Sequence, residues 1–149
     1  MRRSVVGRVL IVDDDPVFAF ELGGSLRGAG YSVVNAGRAA EAYALLEQQN
    51  FDVAIFDLGL PDKSGLELIH EARRSMHALK ILAVTGGRSD LHLKIATYMG
   101  ADVAVHKFAG ECGDDFADRE WVDLVNKLVA SETSDSTREK AVLSAVASC

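Results

Sequence analysis

Three aspartates in a row, Asp13, Asp14 and Asp15, follow the apolar run VLIV and stand directly before Pro16. Like charges side by side repel, and nothing in folding alone favours three of them at the end of a buried strand. Further along, Asp57 closes FDVAIF, Thr85 closes KILAVT and Lys107 follows DVAVH. Carboxylates gathered within a few ångströms force one of their number to protonate unless a cation joins them. Mg²⁺ suits that role, being a hard ion that takes oxygen ligands in octahedral geometry and keeps several waters. One carboxylate can then act as a nucleophile toward a phosphoryl group. The phosphoryl group in transit spreads negative charge over its oxygens, and a metal, a fixed ammonium and a donating hydroxyl stabilise it. Asp57 as nucleophile, Lys107 as ammonium and Thr85 as hydroxyl, with Mg²⁺, supply those parts. Asp15 by itself is adequately explained as a helix cap.

These groups meet only if the elements carrying them end on one edge. RVLIV (8–12), YSVVNA (31–36), FDVAIF (51–56), KILAVT (80–85) and DVAVH (102–106) read as strands. All but the second are nearly continuous apolar runs, as in a parallel sheet covered on both faces. Between them lie helical segments. Asp15 caps the first, with Pro16 opening it and Gly30 just past its end. Residues 39–49 are strong helix formers. Ser64 and Glu67 form a capping-box pattern. Ser89 or Asp90 caps the fourth helix, which stops at Gly100, and residues 114–130 form the fifth. Five βα units imply an α/β fold, a doubly wound five-stranded parallel sheet with helices on both faces. Ligands in such sheets bind outside the carboxyl ends of the strands, where strand order reverses.

The 149 residues suit one domain, expected over 1–131, with a polar tail at 132–149 that holds a possible short helix. A net charge of −6 argues against a nucleic-acid surface, so no nucleic-acid partner is expected. No apolar run approaches the roughly 20 residues that span a bilayer, so no membrane partner is expected either. The basic and apolar start is interrupted by Arg8 and lacks a cleavage site, and reads as a first strand. Cys112 and Cys149 are far apart in no metal-binding spacing, which fits a reducing cytoplasm.

The motifs VLIVDDDP, DLGLPDKSGLEL, AVTGG and HK, spread over residues 7–131, resemble bacterial two-component response-regulator receiver domains of the stand-alone, chemotaxis-receiver type. The resemblance implies a flavodoxin-like sheet of order 2-1-3-4-5. It implies Asp57 as phosphoacceptor, Thr85 as switch hydroxyl and Lys107 as the site's ammonium. Mg²⁺ would be held by Asp14, Asp57 and the backbone carbonyl of Gly59, with Asp13 acting through water. A histidine kinase or histidine phosphotransfer protein would donate the phosphoryl group. An output protein or a homodimer would read the result, through the fourth helix, fifth strand and fifth helix.

Three positions depart from the family pattern. Phe108 follows Lys107 where proline is usual, and the loop FAGECGDD is longer and glycine-rich. Ala104 occupies the aromatic switch position. Gly59 and Gly87, two residues after Asp57 and Thr85, leave the positions that tune phosphoryl lifetime without side chains. Two other readings share some of these residues. A haloacid-dehalogenase-like phosphatase would use Asp13 as nucleophile, and 113–118 fits its second acidic motif, but only five residues separate Lys107 from Gly113. A pseudo-receiver would use the same fold for phosphorylation-independent binding. His70 and His77, seven apart on a helical stretch, read as surface histidines, His106 as structural and Trp121 as a core anchor. Cys112 reads as unactivated beside acidic residues.

Overall fold

A computed structural model describes residues 5–87, 89–107 and 118–131. Five strands, β1 (Arg8–Val12), β2 (Ser32–Ala36), β3 (Val53–Asp57), β4 (Lys80–Thr85) and β5 (Val103–His106), alternate with five helices. These are α1 (Pro16–Gly28), α2 (Ala39–Gln48), α3 (Gly65–Ser75), α4 (Asp90–Met99) and α5 (Asp118–Ala130). All neighbouring strand pairs run parallel, in the expected order β2-β1-β3-β4-β5. The expected acids at 114 and 115, the loop after Lys107, both cysteines and the 132–149 tail lie outside the described residues.

Strand burial explains the apolar runs. Every residue of β3 is buried, whereas edge strand β2 is mostly half-buried. Alternate side chains feed two cores. Leu10, Ala54, Phe56, Ile81 and Ala83 pack with α2, α3 and α4. Val9, Ile11, Val53, Ile55 and Val84 pack with Leu22 and Leu26 of α1 and with Trp121, Val125 and Leu128 of α5. Trp121 is thus the anchor its spacing implied.

The helix ends refine the expectations. Asp15 caps α1 through Oδ1, which accepts from Val17 N at 3.0 Å and Phe18 N at 3.3 Å. Gly30 follows at φ +101°, a left-handed position suited to glycine. Ser64 caps α3, accepting from Leu66 N rather than from Glu67 N as a capping box would. Ser89 makes no side-chain cap bond at α4. Helix α2 is capped from a distance: the Asp62 carboxylate accepts from Ala39 N at 2.9 Å and Ala40 N at 3.0 Å. Those amides hold the Asp62 carboxyl below its ordinary value. His77 lies beyond the end of α3, so His70 and His77 do not share a helix face.

A buried ion pair locks the edge where the strands begin. Arg73 Nη2 lies 2.7 Å from Asp102 Oδ2, and both side chains are about nine-tenths buried. Arg73 also donates to the carbonyls of Leu79 (2.7 Å), His77 (2.9 Å) and Gly100 (2.9 Å), while Asp102 Oδ2 accepts from Ile81 N at 2.8 Å. Gly100 is obligatory on two counts: its φ is +129°, and a Cβ there would stand 2.7 Å from Arg73 Cγ. Removing one partner of such a pair leaves a buried charge uncompensated. Arg73→Met should therefore lower unfolding stability by about 3–5 kcal/mol, measured by urea denaturation.

Candidate functional site

The opposite edge of the sheet gathers the groups expected to do chemistry. Asp13 directly follows β1, Asp57 ends β3, Thr85 ends β4 and Lys107 directly follows β5. Asp13 N donates to Ala36 O (3.0 Å), Leu58 N to Val84 O (2.9 Å) and Lys107 N to Thr85 O (2.8 Å), so the ladder continues past the strand ends and fixes these residues. Ligand oxygens of Asp13, Asp14 and Asp57 all lie within 4.8 Å of one another. Asp13 and Asp57 are buried, and Asp14 faces solvent.

Lys107 is buried among them. Its Nζ stands 2.6 Å from Asp13 Oδ2 and 3.5 Å from Asp57 Oδ2. Asp13 Oδ1 accepts from Asp15 N at 2.9 Å, and Asp57 Oδ1 accepts from Gly59 N at 3.1 Å. Among the described residues, Asp13 Oδ2 is fully buried and has no hydrogen bond of normal geometry; its contact with the ammonium is an ion pair. Among the same residues, three carboxylates face one ammonium, leaving an excess of two negative charges, which is the charge of one divalent cation. A buried carboxylate oxygen lacking a well-formed hydrogen bond, beside an exposed carboxylate, fits a hard cation reached from solvent. The residues present therefore suit Mg²⁺.

Electrostatics agree. Burial pushes the Asp13 carboxyl above its ordinary value of 3.8. The Lys107 ammonium and the Asp15 amide lower it, the Asp57 carboxylate raises it again, and the rise prevails.

The glycines of the loop after Asp57 have separate reasons. A Cβ on Gly65 would sit 2.2 Å from the carbonyl oxygen of Asp57 and 2.6 Å from Leu58 Cα, so α3 starts against the backbone of Asp57. A Cβ on Gly59 would lie 3.9 Å from Asp57 Oδ1, and one on Gly87 would lie 3.4 Å from Thr85 Oγ1. Both positions border the Asp57 and Thr85 side chains. Thr85 Oγ1 accepts from Gly87 N at 3.1 Å, so its proton is available to another acceptor.

Residues 9–111 match the family model of the response regulator receiver domain. The chain belongs to that family. The transcriptional regulatory protein AruR of Pseudomonas aeruginosa is 36 % identical over 109 residues, which are 70 % of this chain and 44 % of AruR. The chain spans less than half the length of this and other curated relatives it matches. A CheY-like response regulator receiver domain protein from Methanospirillum hungatei superposes with a TM-score of 0.74 at 29 % identity, covering 89 % of this chain and 96 % of its own. The Thermotoga maritima response regulator TrrA, solved in complex with Mg²⁺ and BeF, gives 0.70 at 30 % identity, covering 81 % and 97 %. Receiver domains are the phosphoacceptor signalling modules of two-component systems, they bind Mg²⁺ at an acidic pocket, and they work with histidine kinases and output domains. Among the described residues, no helix is long and apolar enough to cross a membrane.

Asp13, Asp14, Asp57 and Lys107 come together, with Thr85 at the end of the neighbouring strand, and one neighbour, Phe18, carries no signal of its own in the sequence. Phe18 places its ring 4.7 Å from Lys107 Nζ. Its only trace in the sequence is its place in the first turn after the acidic run. His106, read as structural, bridges β5 to the start of α4: its Nδ1 meets Gly87 O at 2.6 Å and its Nε2 meets Asp90 Oδ1 at 2.9 Å.

The raised Asp13 pKa gives a signed prediction for the metal-free protein. The folded state binds more protons than the unfolded chain between 3.8 and the raised pKa, so ionising Asp13 costs stability as pH rises through that window. Asp13→Asn should therefore be more stable than wild type at neutral pH. That gap should close as pH falls below 3.8, read from chelator-treated urea melts across pH.

Proposed function

We propose that Asp57 of this receiver domain accepts a phosphoryl group from a phosphohistidine donor, and that the acyl phosphate switches binding to another protein or to a second copy. The observation that carries this reading is the convergence of Asp13, Asp14, Asp57 and Lys107 around Asp57 Oδ2, which has the ammonium 3.5 Å away. In the reaction a carboxylate oxygen of Asp57 forms a bond to phosphorus. The bond from phosphorus to the donor imidazole nitrogen breaks, and that nitrogen keeps the electron pair. Lys107 balances the charge that passes to the phosphoryl oxygens, and the Thr85 hydroxyl donates to one of them. Asp14, Asp57 and the carbonyl of Gly59 would hold Mg²⁺, with Asp13 acting through water. Bound there, the ion screens the carboxylates from an incoming anionic group and neutralises phosphoryl charge.

The phosphorylated protein favours conformers in which Thr85 and Lys107 close on the phosphoryl oxygens, shifting an existing equilibrium. A bias of about 1–3 kcal/mol makes a usable switch. The buried position and pairing of Asp57 and Lys107 support this reading over a pseudo-receiver, which has no need of a charged cluster at the strand ends. The five residues between Lys107 and Gly113, too few for the helix and strand that a phosphatase places there, disfavour Asp13 as a phosphatase nucleophile. A histidine kinase or phosphotransfer protein as donor, and output through α4, β5 and α5, follow from the same reading.

Incubation with acetyl phosphate and Mg²⁺ should add one phosphoryl group to the intact mass. No addition should occur in Asp57→Asn or with the metal chelated. Labelling of Asp57→Asn at the wild-type level would defeat the assignment. Gly87 leaves the mouth of the site open to water, so Gly87→Glu should lengthen the acyl-phosphate half-life several-fold, followed by loss of the mass increment over time.

A further inference from the structure

The Lys107 ammonium carries three N–H donors in a place that water barely reaches, since the residue is only 7 % exposed. Two neighbours are carboxylates, Asp13 at 2.6 Å and Asp57 at 3.5 Å. Among the described residues, the third is the ring of Phe18, with Nζ 4.7 Å from its centroid. That ring continues to a second one: Phe18 meets Trp121 of α5 edge to face, with centroids 5.6 Å apart and an interplanar angle of 77°. Trp121 is buried in the core between the sheet and helices α1 and α5. On the other face of the sheet, the position that would carry an aromatic switch holds the buried methyl of Ala104. The aromatic contact to the site's ammonium therefore comes from α1.

We propose that Phe18 is a positioning residue for phosphotransfer: its ring seats the Lys107 ammonium and links the site to Trp121 and α5. This rests on Asp57 being the phosphoacceptor. The face of an aromatic ring is negative and attracts an ammonium within about 6 Å of its centroid, most strongly where water is excluded. The attraction has little directional demand. The ammonium can thus turn from the Asp57 carboxylate toward a new phosphoryl oxygen while keeping its third partner. An aliphatic side chain of similar size fills the same space but lacks the negative ring face that attracts the ammonium. The ring edge rests against the indole, so a shift of the ammonium over the ring changes the surroundings of Trp121.

The chain has one tryptophan, which makes this link readable. Wild type, Phe18→Leu and Phe18→Tyr are compared for acetyl phosphate labelling by intact mass, and for tryptophan emission on adding Mg²⁺ and beryllofluoride. Phe18→Leu should lower the maximal labelling rate roughly tenfold at an unchanged half-saturating acetyl phosphate concentration. It should also abolish the emission change. Phe18→Tyr, which keeps the ring, should restore both. Phe18→Met serves in place of leucine if that variant fails to fold by circular dichroism, with the same losses expected. Labelling by the aliphatic variant at the wild-type rate, or failure of tyrosine to rescue, overturns the role of Phe18 alone. Absence of labelling in wild type overturns the phosphoacceptor reading and this proposal together.

Discussion

Lys107 is held between two buried carboxylates at the end of a parallel sheet, and the geometry of this edge follows from that. An ammonium or a carboxylate taken out of water by itself is costly, and each tolerates burial here because the other is within ion-pair distance. The balance is deliberately incomplete, with three carboxylates against one ammonium. Only strands that run in the same direction bring residues 13, 57 and 107 to one edge at ångström precision. The sheet order, the start of α3 against the Asp57 backbone and the distant cap from Asp62 to α2 all serve that convergence.

The two edges of the sheet handle charge differently. Where the strands begin, Arg73 and Asp102 are almost fully hydrogen-bonded, and their pairing ties α3, the turn after α4 and the start of β4 into one unit. Where the strands end, Asp13 has a raised pKa and an oxygen with no well-formed hydrogen bond. A domain anchored firmly at one edge can leave the other edge electrostatically unsatisfied. An unsatisfied edge is the more readily biased of the two, because a state held by nearly balanced forces is shifted by a small added interaction.

Small and aromatic residues on both faces of the sheet surround this edge. Ala104 supplies no ring on the α4 side of the sheet, while His106 ties the start of α4 to β5 through Asp90 and Gly87. Phe18 and Trp121 place two rings in line on the opposite side. The glycines at 59 and 87 leave space beside Asp57 and Thr85. These features surround a charged centre of three described carboxylates and one ammonium.

The linear chain by itself determined the strand runs, the helix starts at Asp15 and Ser64 and which polar residues stand at the strand ends. Apolar runs of strand length and capping residues act locally, and five βα units in succession leave few ways to wind a sheet. The roles expected of Asp13, Asp57, Thr85 and Lys107 were legible because each closes a strand, so topology alone makes them neighbours. Tertiary structure decided the rest. Arg73 finds Asp102 across 29 residues and Asp62 finds the amides of α2 across 23. Phe18 of α1 meets Lys107, which follows β5, although they are far apart in sequence. Such contacts depend on which way a side chain faces once layers have packed, and hydrophobic period fixes the buried face of an element without fixing which charged or aromatic partner waits there.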